Sequence, residues 1–167
     1  MADNLAQAPL HACLSKCTNA AGTTTTLSTT GTNTVVINGK IFTFAALANV
    51  QPTAGDAVTG AAALTQLAIN TGTVYLLLVD STGAAHKVAQ GTVEALDGAA
   101  VATAKFIRAP QFPGGVPQNL VPIGYVIARV GSNGSAWALG LQNSSGVAGV
   151  TLTFVDIATL PDRPQVS

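Results

Sequence analysis

Two cysteines and a histidine lie within seven residues near the start of the chain, at His11, Cys13 and Cys17. Imidazole and thiolate groups are good zinc ligands, but a closed structural zinc site needs four ligands. The fourth would have to be His86 or a distant carboxylate, and the H-x-C-x-x-x-C spacing is not a common zinc pattern. We therefore interpret the cysteines as partly buried thiols, and we expect neither a metal nor another cofactor. A disulfide is geometrically possible at this separation but is disfavoured in a reducing compartment.

A nucleophilic triad would have to use His11 or His86 as its base. Ser81 and Asp80 lie near His86 in the sequence, but both fall in a predicted hairpin turn. Ser and Asp in turns commonly form local backbone hydrogen bonds. The chain also lacks a G-x-S-x-G elbow, so the sequence predicts no catalytic serine.

Paired carboxylates for glycoside hydrolysis are equally hard to find, because most of the acidic residues lie in predicted turns. Asp156 is the exception: it falls inside the last predicted strand, where a buried carboxylate would need a partner. Arg129, in the preceding predicted strand, is the natural candidate. We expect a structural pair rather than a catalytic one, and we expect that the protein is not an enzyme.

Phosphate and nucleic-acid binding have no clear signal either. Residues 131–134 (GSNG) follow a predicted strand but lack the lysine and the following helix of a P-loop. The basic residues are scattered, and aromatic residues do not interleave with them. Trp137 and Phe112 lie in predicted loops, where each fits either a plug beneath its own loop or an anchor in an interface.

The 167-residue chain is poor in charge: charged residues make up 8%, and seven basic and seven acidic side chains cancel. An average soluble domain has roughly 25% charged residues. The surface must therefore consist of small polar residues and alanine, or be covered by another subunit. We favour subunit burial, because a net charge near zero promotes association. A neutral chain also offers no field for nucleic acid or an anionic membrane.

No stretch reaches the ~20 apolar residues of a membrane span, although the mean hydropathy is +0.44. The first residues lack the basic start and apolar core of a secretory signal. The sequence thus predicts a protein made and folded in a cytoplasm, with reduced cysteines.

Short strands dominate the predicted secondary structure. Residues 34–46 form two apolar runs around Asn38-Gly39, a dipeptide typical of a type I′ hairpin turn. Residues 73–93 predict a second hairpin, in which residues 74–79 form a continuous apolar strand buried on both faces. Residues 123–131 and 149–157 predict two further strands.

The remaining segments are less regular. Residues 63–70 favour a strand, and residues 99–108 fit a short helix. Residues 109–122 contain four prolines and two glycines and predict an ordered irregular connection, while residues 132–146 predict a long loop around Trp137. We expect a single, mostly β, antiparallel sandwich or open barrel over residues 34–167, with a proline-containing C-terminal tail.

Residues 1–33 are predicted to form an N-terminal arm followed by a Thr-rich extended segment. The run AGTTTTLSTTGTNT has almost nothing to bury. Its β-branched residues favour extended backbone. We expect this segment to be an edge strand or to lie against a partner.

Three stretches together resemble the capsid decoration (cement) proteins of tailed bacteriophages. They are NGKIFTFAA, VPIGYVIARV and GVTLTFVDIATLPDRP, and the resemblance covers roughly residues 36 to 164. Its most specific elements are Ile-Gly-Tyr-Val at residues 123–126 and Leu-Pro-Asp-Arg-Pro at residues 160–164. The Thr-rich run and the His/Cys segment are not part of this pattern.

The resemblance implies a non-enzymatic virion protein that is β-rich and commonly trimeric. Such a protein would bind the major capsid protein on the outside of the expanded shell, between capsomers, and stabilise it. The interface candidates are Trp137, Phe112, Arg129, Asp156, Asp162 and Arg163. Asp162 and Arg163 would supply a directed polar contact, unless the C-terminus is frayed and the ion pair is only a weak, solvated one.

Two other functional classes are considered. A phage fibre or adhesin domain that binds host glycans would depend on Trp137 in its Asn/Ser/Gly-rich loop. A small hydrolase would need polar residues converging in a cleft, and the composition offers few of them.

Overall fold

Strands carry the regular backbone hydrogen bonding in the computed structural model, which describes residues 11–52, 56–61, 63–83 and 86–166. The described residues contain no helix, so the prediction of a mostly β fold is confirmed. The strands are β1 (His11–Cys13), β2 (Ala20–Ala21), β3 (Leu27–Ser28), β4 (Asn33–Ile37), β5 (Lys40–Phe44), β6 (Thr71–Val79), β7 (Lys87–Gln90), β8 (Glu94–Ala95), β9 (Val121–Val130) and β10 (Val150–Asp156).

Three antiparallel sheets are formed, and none of them closes into a barrel within the described residues. The largest has the order β10-β9-β6-β7, with β8 also paired to β6. A second sheet has the order β1-β4-β5, and β2 and β3 form a small third sheet. All the strand pairs are antiparallel, as the hairpin-rich sequence predicts.

The centre of the large sheet is buried on both faces, which confirms the prediction for residues 74–79. Tyr75, Leu77 and Val79 enter one apolar cluster. Val74, Leu76 and Leu78 enter another cluster on the opposite face. This division follows from the two-residue period of a strand, so a continuous apolar run supplies both cores.

The second sheet covers the first of these faces. Val35 and Ile37 of β4 pack into the cluster that contains Leu77. The predicted hairpin between β4 and β5 is confirmed, with Ile37 opposite Lys40. Asn38 and Gly39 have φ angles of 51° and 74°, the two positive values that a type I′ turn requires.

Long connections and the C-terminal residues cover the opposite face. The apolar side chains packed there, in addition to the strands, are Ala57, Val58, Phe106, Phe112, Val116, Leu120, Ile157, Leu160 and Val166. The proline-rich connection thus has a packing role, and its irregular but ordered path agrees with the prediction.

Two predicted elements are wrong. Residues 63–70 form only an isolated bridge between Leu67 and Trp137, because the Thr65 amide donates to the Gln90 side chain instead of to a ladder. Residues 99–108 form turns instead of a helix. The Asp97 carboxylate accepts a hydrogen bond from the Lys105 amide, which diverts the backbone from a helical ladder.

The segment 11–33 packs into the domain and does not project from it as an arm. Strand β1 pairs with β4, and Cys13, Cys17 and Leu27 are buried. Residues 22–26 of the Thr-rich run form a hydrogen-bonded turn between β2 and β3, and the last residues of the run enter β4. The single leucine of the run packs into the core. Residues 1–10, the rest of the predicted arm, lie outside the described residues.

The two-faced burial of β6 predicts a large cost for removing a side chain from it. Leu77→Ala should lower the free energy of unfolding by about 2–5 kcal/mol, because it leaves a cavity between the sheets. Ile69→Ala is the matched control: this side chain, in the turn before β6, is 49% exposed, and its loss should change stability by less than about 0.5 kcal/mol. Urea denaturation of both variants measures the difference, and equal midpoints would contradict this account of the core.

Candidate functional site: the C-terminal tail and the strand that holds it

The C-terminal tail, here residues 157–166, folds back over the second face of the large sheet. Ile157, Leu160 and Val166 pack on the apolar cluster of that face, and Pro164 is buried. The Gln165 amide donates a hydrogen bond of 3.0 Å to the hydroxyl oxygen of Tyr125. The Cys13 N–H also donates to the Ala158 carbonyl at 2.8 Å. The tail is therefore fixed by apolar packing and by hydrogen bonds at two points.

Asp162 and Arg163 form the exposed tip of this tail. They lie between half-buried Leu160 and buried Pro164, so the backbone on both sides of the tip is anchored. In the described part of the chain, no hydrogen bond or salt bridge engages either side chain. Both charges are thus presented on a fixed backbone.

Asp156, at the end of β10, holds the N-terminal segment. Its Oδ1 accepts hydrogen bonds from the backbone N–H of Asn19 at 2.8 Å and from Asn19 Nδ2 at 2.7 Å. Asn19 Nδ2 also donates to the Ile123 carbonyl at 3.0 Å. Since pairing of β9 with β10 stops at Gly124, Asn19 takes over the neighbouring carbonyl that β10 does not reach.

Gly124 is required where the backbone of β9 approaches Asn19. A Cβ atom at this position would lie 2.5 Å from Asn19 Nδ2 and 2.7 Å from the Val155 carbonyl oxygen. Real Cβ contacts are not that short. The Ile-Gly-Tyr-Val motif therefore has a structural role. The Ile123 carbonyl accepts a hydrogen bond from Asn19, Gly124 leaves room for the Asn19 side chain, and the Tyr125 hydroxyl accepts a hydrogen bond from the tail.

The predicted Arg129–Asp156 pair is wrong. In the ladder between β9 and β10, Arg129 is opposite Thr151, whereas Asp156 is opposite Gly124. Five residues of strand separate them, about 17 Å at the usual rise. Arg129 instead donates from Nη1 to the Ala104 carbonyl at 2.9 Å.

Trp137 is a plug beneath its own loop and is not a surface anchor. Only 1% of the residue is exposed, and its Nε1 donates to the Asn143 carbonyl at 3.0 Å. Its ring meets that of Tyr75 edge-on, with centroids 6.2 Å apart. Phe112 is half-buried and packs edge-on against Tyr125 at 5.2 Å. Of the six predicted interface residues, only Asp162 and Arg163 are exposed.

No metal-binding cluster is assembled by the part of the chain that the structure describes: it contains no group of three or more His, Cys, Asp and Glu residues suited to an ion. The Cys13 and Cys17 sulfurs lie 3.1 Å apart. His11 Nε2 lies 2.7 Å from the Gln118 carbonyl oxygen, within hydrogen-bonding distance of that backbone group. The three residues that raised the question of zinc therefore do not converge on one ion.

Asp80 and His86, two residues considered for a catalytic triad, are held in a turn and in the core, respectively. Asp80 accepts hydrogen bonds from the Thr82 amide and hydroxyl, which confirms the predicted turn. Burial raises the pKa of Asp80, but the hydrogen bonds from Thr82 outweigh it and leave that pKa lowered. His86 is fully buried, and burial lowers its pKa to about 4. A buried imidazole of such low basicity is poorly suited to act as a general base near neutral pH.

An apolar groove lies beside the tail. It has a volume of about 330 Å³ and is lined by residues that include His11, Val116, Leu120, Pro122 and Leu160. A second groove, of about 310 Å³, runs along β10 and is lined in part by Val150, Leu152 and Phe154. Both grooves are open. The first lies on the face of the large sheet that the tail covers, whereas Val150, Leu152 and Phe154 pack on the opposite face.

Sequence reasoning missed the roles of Asn19 and Tyr125. Tyr125 carried one usable signal, since a buried tyrosine hydroxyl usually finds a hydrogen-bond partner. No sequence signal indicated the role of Asn19, because its partners Ile123 and Asp156 are more than a hundred residues away.

Comparison of the chain with protein-family models, with curated proteins and with solved structures found no match. Within the described residues, no helix has the length and apolar character needed to cross a membrane.

The close approach at Gly124 predicts a specific sensitivity. Gly124→Ala should lower the free energy of unfolding by about 1–3 kcal/mol, because the new methyl group forces Asn19 or the β10 backbone to move. Gly114→Ala is the control, since a Cβ there meets nothing within 4 Å. Denaturant midpoints of the two variants measure the contrast, and a Gly124→Ala protein as stable as Gly114→Ala would refute the packing described.

Burial of His86 predicts a loss of stability in mild acid. Because its folded pKa of about 4 lies below the unfolded value of 6.5, the unfolded chain binds more protons between these pH values. Stability should therefore fall as the pH drops through this window, by about 2 kcal/mol at pH 5 from this group. His86→Gln should lose less stability than wild type between pH 7 and 5. Identical pH profiles for the two proteins would exclude His86 as the cause.

Proposed function

We propose that this chain is a non-enzymatic virion structural protein that binds the outer surface of a phage capsid between capsomers and stabilises the expanded shell. The resemblance of residues 36–164 to capsid decoration proteins is the starting point. The observation that carries the proposal is the anchored tail, which presents Asp162 and Arg163 at an exposed tip. The expected partner is the major capsid protein.

A fixed tip favours binding because little conformational entropy remains to be lost on contact. The Tyr125 hydroxyl and the buried Pro164 hold the backbone that carries both charges. The Arg163 guanidinium would bind a capsid carboxylate, a contact that can be bidentate. Many copies on one shell would add avidity, so each copy needs only moderate affinity.

Association of the protein into a trimer is part of the proposal. Leu14, Ile41, Ile107 and Leu141 are each more than half exposed, in a chain with few charges to cover its surface. Strands β5 and β10 are at sheet edges and have one partner strand each among the described strands. Edges of this kind accept a strand from a neighbour.

The glycan-binding alternative depended on Trp137. Its ring is buried and its N–H is bonded within the loop, so no observation favours that alternative over capsid binding.

The tip of the tail supplies the test. Arg163→Ala should weaken binding to expanded, undecorated capsid shells of the encoding phage by about tenfold to a hundredfold, the loss expected for one charge-assisted contact. Arg108→Ala is the matched control, because Arg108 is also exposed but lies on the 96–120 connection. Co-sedimentation with shells measures both affinities.

Light scattering of the purified protein over a range of concentrations tests the trimer separately. A stable trimer is expected. A wild-type protein that does not sediment with the shells would refute the capsid role. Binding that Arg163→Ala and Arg108→Ala leave equally intact would refute the role of the tip alone.

A further inference from the structure

Cys13 and Cys17 form a buried pair of thiols in direct contact. Their sulfur atoms lie 3.1 Å apart, and each residue is 1% exposed. Both cysteines are free. A disulfide bond is about 2.05 Å long, so the sulfurs need to approach by only about 1 Å more to be joined.

The backbone around the pair holds both sulfurs in place. Cys13 lies in β1 opposite Val35, and its N–H donates to the Ala158 carbonyl at 2.8 Å. The Cys17 carbonyl accepts from the Thr30 amide at 3.1 Å. Between them, Ser15 accepts a hydrogen bond from the Thr34 amide at its Oγ. The short loop that separates the cysteines is therefore tied to its surroundings at both ends and in the middle.

The electrostatics of the pair distinguish its two members. A hydrogen bond from the Cys17 thiol stabilises a thiolate on Cys13 and lowers the pKa of Cys13. The same hydrogen bond, together with burial, raises the pKa of Cys17. This hydrogen bond favours the thiolate on Cys13, and the thiolate is the nucleophilic form of cysteine.

A surface cavity borders Cys13. It has a volume of about 220 Å³ and is lined by Cys13, Lys16, Asp156 and neighbouring residues. A small oxidant such as hydrogen peroxide, little larger than water, fits such a space. Cys13 is among the residues that line this cavity, and Cys17 is not.

We propose that Cys13 and Cys17 are a redox modification site that forms a reversible intramolecular disulfide with a peroxide as oxidant. The Cys13 thiolate attacks one peroxide oxygen, so that an S–O bond forms, the O–O bond breaks and the departing hydroxide takes a proton to become water. The Cys17 sulfur then attacks the Cys13 sulfur, so that the S–S bond forms and the S–O bond breaks. The second hydroxide takes the Cys17 proton. Two thiols lose two electrons in total, and one peroxide yields two waters.

The disulfide would covalently link Cys17, in the segment after β1, to Cys13 within β1. It would restrain the segment that carries Asn19, and thereby the contacts of Asn19 with Asp156 and Ile123. The chemistry of the pair does not depend on the proposed capsid role. In a virion released from a reducing cytoplasm, the change of compartment would favour the oxidised form.

Mass spectrometry of the intact protein tests the site directly. After treatment with hydrogen peroxide and alkylation under denaturing conditions, wild-type protein should have lost two hydrogen masses and carry no alkyl group. Dithiothreitol should restore two alkylatable thiols. If both cysteines still alkylate while glutathione in the same tube is oxidised, or if the disulfide links two chains, the proposal is overturned.

Single variants test the order of events. Cys17→Ala should leave a sulfenic acid on Cys13 that dimedone traps, whereas Cys13→Ala should give much less trapping. Equal trapping in the two variants would overturn the assignment of Cys13 as the attacking sulfur. Because the measurement on wild type needs no substitution, a variant that fails to fold does not remove the test.

The Cys13–Cys17 disulfide should also raise the melting temperature of the protein. The closed loop is short, so oxidised wild type should melt roughly 5 °C above the reduced form. Cys17→Ala should show no such rise under the same treatment. An oxidised protein with the disulfide but an unchanged melting temperature would overturn the stapling effect.

Discussion

Nine residue pairs join β6 to β9, from Thr71 opposite Val130 to Val79 opposite Val121, and nearly every residue of both strands is buried. A pair of strands buried on both faces has no place for unpaired charge, since burying an isolated charge costs far more than one contact returns. Both faces then need covering layers. The β1-β4-β5 sheet supplies one layer, and the 96–120 connection and the tail supply the other.

This constraint explains why the ends of the chain are built into the domain. The N-terminal segment reaches the first face, where Cys13, Cys17 and Leu27 join the core. The tail reaches the second face through Leu160 and Val166. The Ile-Gly-Tyr-Val motif contacts both ends of the chain. Ile123 and Gly124 contact Asn19, and the Tyr125 hydroxyl accepts a hydrogen bond from the Gln165 amide. A substitution in this motif should therefore disturb the packing of both terminal segments.

Because the chain contains few charged residues, the exposed ones are the main candidates for polar contacts with a partner. Asp156 and Arg129 are held by contacts with Asn19 and Ala104, whereas Asp162 and Arg163 remain at the tip of the tail. Exposed apolar residues such as Ile41 and Ile107 share the surface with small polar side chains. A surface of this kind suits association more than steering by a long-range field, and it is the physical basis of the proposed capsid role.

The sequence by itself determined the local features of this protein. Asn38-Gly39 specifies a hairpin turn because few other dipeptides accept two positive φ angles, and the apolar run at residues 74–79 specifies a strand buried on both faces. The tertiary structure alone decided which distant groups meet. Asn19, and not Arg129, became the partner of Asp156, because the register of β9 and β10 separates the two charges along the sheet. Residues 63–70 and 99–108 have local patterns that fit a strand and a helix, but backbone amides in them donate hydrogen bonds to the Gln90 and Asp97 side chains instead. Side chains distant in sequence compete for the same backbone groups, and that competition is settled only when the layers pack.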